Sequence, residues 1–85
     1  MSTTDAVHEL DARGLLCPIP VIRTQNRIQQ LSPGEQLRVI ASDPGALHDI
    51  PAWCRVHGHE ILDAGDQDGL IVVQIRVAES DSALI

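Results

Sequence analysis

A sulfur nucleophile is set in the run Gly14-Leu15-Leu16-Cys17-Pro18-Ile19-Pro20. Proline is common at the first helical position, where its missing N–H costs nothing. An apolar-periodic segment follows, so Cys17 is expected at the N-cap of a helix running from Pro18 to about Gln30. A thiolate at an N-cap faces free backbone N–H groups and the positive end of the helix. Both favour the anion, which is the reactive form, over a free thiol with its pKa of about 8.5. Arg13 and Arg23 would add to this if they lie close. Pro20 stands where a Cys-x-x-Cys pair would have its second sulfur. Cys17 is therefore better suited to carrying a group than to cycling a local disulfide. Pro18 and Pro20 are expected to act by shape. Gly14 is expected to make the bend before the cysteine and to let the loop approach a partner without a side chain in the way.

Other reactive arrangements are weaker. Cys-His hydrolysis needs a histidine held against the thiol by a third group, and none of His8, His48, His57 and His59 is marked for that role by its neighbours. A thiol-based redox or regulatory protein is the first alternative: oxidised Cys17 could condense with Cys54. The two sit in different helices, and bridging requires Cα atoms within about 7 Å. Metal binding through Cys17, Cys54 and His57 or His59 is the second alternative. Structural zinc sites use four ligands in closely spaced pairs, and only His57 and His59 are so spaced. No metal and no cofactor is expected.

The elements that must hold Cys17 belong to one small domain of 85 residues, with an ordered core over about 6–78. Trp53 is the single aromatic residue, so the core must be aliphatic and no platform exists for stacking bases. The chain contains no lysine, and its net charge is −6. Residues 11–38 carry four arginines against Asp11 and Glu35, while residues 39–85 carry two against eight acids. The positive excess thus surrounds Cys17. Arg23 and Arg27 lie one turn apart on the first helix and share a face, which suits docking of an anionic protein partner. Direct nucleic-acid binding is not expected of so acidic a chain. Two cysteines make no disulfide framework, Met1 to Leu10 is no secretory segment, and the longest apolar run is strand-sized. A reducing cytoplasmic setting without membrane contact is expected.

Residues 1–5 read as a loose tail, Val7–Leu10 as a short strand and Asp11–Leu16 as a loop. The first helix places Val21, Thr24, Ile28 and Leu31 on an inward stripe and ends at Ser32-Pro33-Gly34-Glu35. Gln36–Ala41 alternates as a strand. Asp43 is the expected N-cap of a second helix with Pro44 at its first position. Leu47, Ile50 and Cys54 face inward on it, Pro51 loosens it, and Gly58 closes it. His59–Ala64 and Leu70–Val77 read as strands joined by an Asp/Gly turn within Asp63–Gly69, with 80–85 a frayed end. The order is β-α-β-α-β-β. The expected fold is an α/β two-layer sandwich, a four-stranded mixed sheet with both helices on one face and both helix N-termini near the same edge.

Leu10-Asp11-x-x-Gly14-Leu15-x-Cys17-Pro18-x-Pro20 resembles the signature of the TusA/SirA family of small sulfur-carrier proteins. Gly34-Glu35, Asp43-Pro44, Asp49-Ile50-Pro51-x-Trp53-Cys54 and Gly58-His59-Glu60 extend the likeness over about residues 9–78. The resemblance implies a cytoplasmic two-layer α/β protein whose Cys17 holds sulfane sulfur as a transient persulfide. It implies relay from a sulfur-donor protein (a cysteine desulfurase or rhodanese-like enzyme) to a sulfur-acceptor protein. Transfer-RNA 2-thiolation and sulfur oxidation are the pathways it points to, with any transfer RNA met through a partner. Cys54 matches a second-block cysteine that is not the carrier. Arg23 replaces a lysine common in that stretch, keeping the charge and changing the contact geometry.

Overall fold

The computed structural model describes residues 7–16 and 18–78. Cys17 and the two expected loose ends lie outside the described residues. The chain runs β1 (Val7–Ala12), α1 (Ile19–Ile28), β2 (Gln36–Ala41), α2 (Ala46–Val56), β3 (Glu60–Gln67) and β4 (Leu70–Arg76). The sheet order is β1-β2-β4-β3, with β1 parallel to β2 and β4 antiparallel to both neighbours. β3 is therefore parallel to β2, and α2 crosses over β4 to reach it. The expected architecture is present: both helices cover the face that Leu37, Val39 and Ala41 of β2 share with Ile71, Val73 and Ile75 of β4.

Alternation explains one central strand and an apolar run the other. β2 buries every second residue, and β4 is apolar along most of its length. Leu37, Ile50 and Ile75 are among the largest fully buried side chains. Each contributes about 1.5–3 kcal/mol of transfer free energy. Thr24 and Ile28 of α1 and Ile50 and Cys54 of α2 are buried, with Val21, Leu31 and Leu47 packed against the same core. These are the expected inward stripes. Pro20 joins them, also fully buried.

Several boundaries differ from the sequence reading. β1 takes in Asp11 and Ala12 because both continue the parallel register, Ala12 opposite Ala41. β3 runs on to Gln67, and the turn shrinks to Asp68-Gly69. Both turn residues have positive φ, 56° and 89°, the pattern of a type I′ hairpin turn. Asp66 is thus in a strand rather than a loop, with Asp63 in the same strand as expected, at a sheet edge where outward charge blunts unwanted pairing. β4 ends at Arg76, and Val77 is nonetheless buried, its N–H donating to the Glu35 carbonyl at 2.8 Å.

Both helices start later than expected. α1 has Pro18 at its N-cap and Pro20 within its first turn, so Cys17 precedes the cap instead of occupying it. α2 has Gly45 at its N-cap, two residues after Asp43. In each case a three-residue turn bond comes first: Ile19 N–H donates to Leu16 O at 2.9 Å and Ala46 N–H to Asp43 O at 3.0 Å. α2 continues through Pro51, which is buried. Its end is a Schellman closure: Gly58 at φ 82°, with His59 N–H donating to Cys54 O and Gly58 N–H to Arg55 O.

Candidate functional site

Parallel pairing of β1 and β2 brings the two strand-to-helix connections together, because both leave the same end of the sheet. The first carries Arg13, Gly14, Leu15 and Leu16 towards Cys17; the second carries Ser42, Asp43, Pro44 and Gly45. They are joined directly. Gly14 N–H donates to Ser42 Oγ at 2.8 Å.

The first connection is held amide by amide. Arg13 N–H donates to Asp11 Oδ1 at 3.0 Å, and the Arg13 guanidinium makes a bidentate pair with the same carboxylate, at 2.9 Å on each oxygen. The side-chain bonds from Arg13, then its backbone N–H, hold the Asp11 carboxyl down to about 2. Leu15 N–H reaches Ala12 O at 3.4 Å. Gly14 has φ 81°, which is its reason for being glycine. A Cβ built there would meet no atom within 4 Å, so no close packing demands it.

The helix start offers fewer donors than a generic N-terminus. Pro18 and Pro20 have no N–H, and that of Ile19 is used on Leu16 O. The first four-residue bond is Ile22 N–H to Pro18 O at 3.1 Å. Below it, Thr24 Oγ1 donates to Pro20 O at 2.8 Å in the buried layer. The two prolines therefore subtract donors from the N-terminal end of the helix.

The expected docking arginines divide. Arg13 is exposed and engaged by Asp11, whose carboxylate raises its affinity for its proton. Among the described residues, neither Arg23 nor Arg27 is in an ion pair; Arg27 Nη1 donates to Gln30 Oε1 at 3.2 Å. Sequence reasoning missed the apolar part of this surface. Leu16 (74% exposed), Ile19 and Ile22 stand in solvent on either side of Cys17 in the chain. Their signal was present, since none of them falls on the inward stripe.

Cys54 is fully buried beneath α2, and desolvation pushes its thiol up to about 12. It is a core residue, as the inward stripe predicts. The histidines disperse. His8 Nε2 pairs with Glu35 at 3.2 Å. His57 and His59 both stack on Trp53, with ring centroids 4.5 and 5.5 Å away. His59 Nδ1 accepts the Ala78 N–H at 3.0 Å, and burial, aided by His57, lowers its pKa. Among the described residues, no three His, Cys, Asp or Glu side chains form a metal-binding group. No helix of the described residues is long and apolar enough to cross a membrane.

Comparison with known proteins agrees with this arrangement. The family model described as sulfurtransferase TusA matches residues 8–77. A sulfur carrier protein TusA of Pseudomonas aeruginosa is 42% identical over 74 residues, covering 87% of this chain and 91% of its own. Another, from Pseudomonas entomophila, is 41% identical over 75 residues, covering 86% and 94%. The crystal structure of a SirA-like protein from Desulfitobacterium hafniense superposes with a TM-score of 0.74 at 25% identity, covering 86% of this chain and 99% of that one. With a family match over nearly all of its described length, the chain belongs to the TusA sulfurtransferase family.

Proposed function

We propose that this protein is a sulfur carrier that relays sulfane sulfur as a persulfide on Cys17. The Cys17 thiolate attacks the terminal sulfur of a donor persulfide, R–S–SH. A new S–S bond forms to Cys17, the donor S–S bond breaks, and the donor leaves as its thiolate. The product is Cys17–S–SH, and no external oxidant is consumed because the sulfur moves at constant oxidation level. An acceptor thiolate then attacks that terminal sulfur and releases Cys17 as thiolate. The donor would be a cysteine desulfurase or rhodanese-like protein. The same step serves transfer-RNA 2-thiolation or sulfur oxidation, which differ in the acceptor that docks.

The observation that carries this reading is the contrast between the two sulfurs. Cys54 is sealed in the core with its thiol held protonated, whereas Cys17 stands in the Cys-Pro-x-Pro motif of a family whose named relatives are sulfur carriers. The form of the redox alternative in which oxidised Cys17 condenses with Cys54 is disfavoured by the burial of Cys54. Exposed Leu16, Ile19 and Ile22, with Arg23 and Arg27, supply a docking face of mixed apolar and basic character. Intact mass after exposure to a persulfide donor tests the carrier reading. Wild type and Cys54→Ala should each gain one sulfur atom, and Cys17→Ala none; sulfur gained by Cys17→Ala would sink the assignment.

A further inference from the structure

We propose that Ser42 is a positioning residue for Cys17, acting from the neighbouring connection through the Gly14 amide. The proposal rests on the carrier reading for its consequence and on geometry for its cause. Ser42 directly follows Ala41, and Ala41 is level with Ala12 in the parallel register. That register sets Ser42 beside the start of the Cys17 loop, where its Oγ accepts the Gly14 N–H at 2.8 Å. The amides of Arg13 and Leu15 are satisfied by Asp11 and Ala12, in the strand the first connection directly follows. Gly14 alone of these three is held by the other connection.

The anchor is itself fixed. Asp43 Oδ1 accepts the Gly45 N–H at 3.0 Å, and Ala46 N–H closes on Asp43 O, so the segment that presents Ser42 is a built turn ahead of α2. At the other end, Gly14 occupies a φ that an L-residue avoids. A glycine in that region samples many conformers when released. One hydroxyl therefore restrains the most permissive residue in the loop, three positions before the nucleophile. Ser42 is exposed, so losing its hydroxyl leaves the Gly14 amide to water and alters stability little. Presentation of the sulfur is what changes, and transfer between two docked proteins is sensitive to placement.

The test compares Ser42→Thr with Ser42→Val, which match in shape and differ in the hydroxyl, alongside Ser42→Ala. Three quantities are read on the full chain: exchange of the Gly14 amide by NMR, the peptide-resolved alkylation rate of Cys17 against pH, and sulfur transfer to a protein acceptor. Cys54, being buried, does not interfere with alkylation. Ser42→Thr should follow wild type in all three. Ser42→Val and Ser42→Ala should melt as wild type does, expose the Gly14 amide, shift the Cys17 alkylation profile and slow transfer about tenfold, a fraction of what a misplacement of about 1 Å brings. Equal Gly14 exchange and equal Cys17 alkylation in the Thr and Val variants would overturn the role. If wild type takes up no sulfur, the carrier reading fails by itself, and the alkylation comparison still decides Ser42.

Discussion

The two strand-to-helix connections start alike and solve the same problem differently. Each follows one of two adjacent parallel strands, and each has a proline before its helix: Cys17-Pro18 and Asp43-Pro44. The second builds its own turn. Asp43 accepts the Gly45 amide with its own side chain, and successive bonds from Ala46, Leu47 and His48 run to Asp43, Pro44 and Gly45. Neither helix has a side-chain cap, but the first connection has two prolines that remove donors and an amide tied to the other connection. Where the second connection puts an acid that satisfies its own turn, the first puts a cysteine. Support for the Cys17 loop comes from Asp11, Ser42 and the buried Pro20 instead.

The glycines of the two connections give the largest separation. Gly14 sits at φ 81° and Gly45 at φ −61°. Gly14→Ala should therefore cost about 1–2 kcal/mol in unfolding free energy, the penalty of an L-residue in the left-handed region. Gly45→Ala, in helical conformation, should be near neutral or slightly stabilising. Urea denaturation of both variants checks this. Equal losses would mean that the loops do not differ in backbone demand.

The helices that follow differ in charge. α1 presents Arg23 and Arg27, while α2 carries Asp49 in its first turn. Reversing both arginines to Glu should slow transfer to the cognate acceptor several-fold at low salt and weaken its salt dependence. Loading from a small inorganic donor should hardly change. Unaltered transfer to the protein acceptor would remove this face of α1 from the interface.

A smaller effect distinguishes the far end of α2. Burial, aided by His57, lowers the pKa of His59 in the folded protein, where Nδ1 accepts from the Ala78 N–H. The unfolded chain protonates near the ordinary histidine value of about 6.5, so it binds more protons than the folded chain just below that pH. Stability should be complete above it and decline as pH falls towards the lower folded value. Glu35 acts in the same direction further down. The Ser32 amide, then His8, lowers its pKa, so its contribution is present above the ordinary carboxylate range and lost as pH falls through the folded value. Denaturation midpoints followed by Trp53 fluorescence, the single aromatic signal, would show the decline. His59→Gln should flatten its upper part, and an unchanged slope in that variant would assign it elsewhere.

Much of this was legible in the chain. Alternation placed β2 at its observed bounds, and the three- and four-residue spacing of Thr24, Ile28, Ile50 and Cys54 identified the buried faces. Glycine and proline marked the breaks. Helix starts were less legible, because proline fixes φ without deciding whether a three-residue turn bond or the helical ladder forms first. Asp66 looked like a turn residue since an edge strand tolerates charge that a central one does not. Ser42 carried no signal in the sequence. Its role appears only when β1 and β2 are seen to pair in parallel, which makes residues 14 and 42 neighbours.

Following isotopically labelled sulfane sulfur through one turnover tests the central claim most directly. With donor, this protein and acceptor mixed in sequence, peptide mapping should find the label on Cys17, absent from Cys54, and then on the acceptor thiol at the rate at which Cys17 loses it. Label on Cys54, or label that reaches the acceptor equally well when Cys17→Ala replaces wild type, would contradict the account.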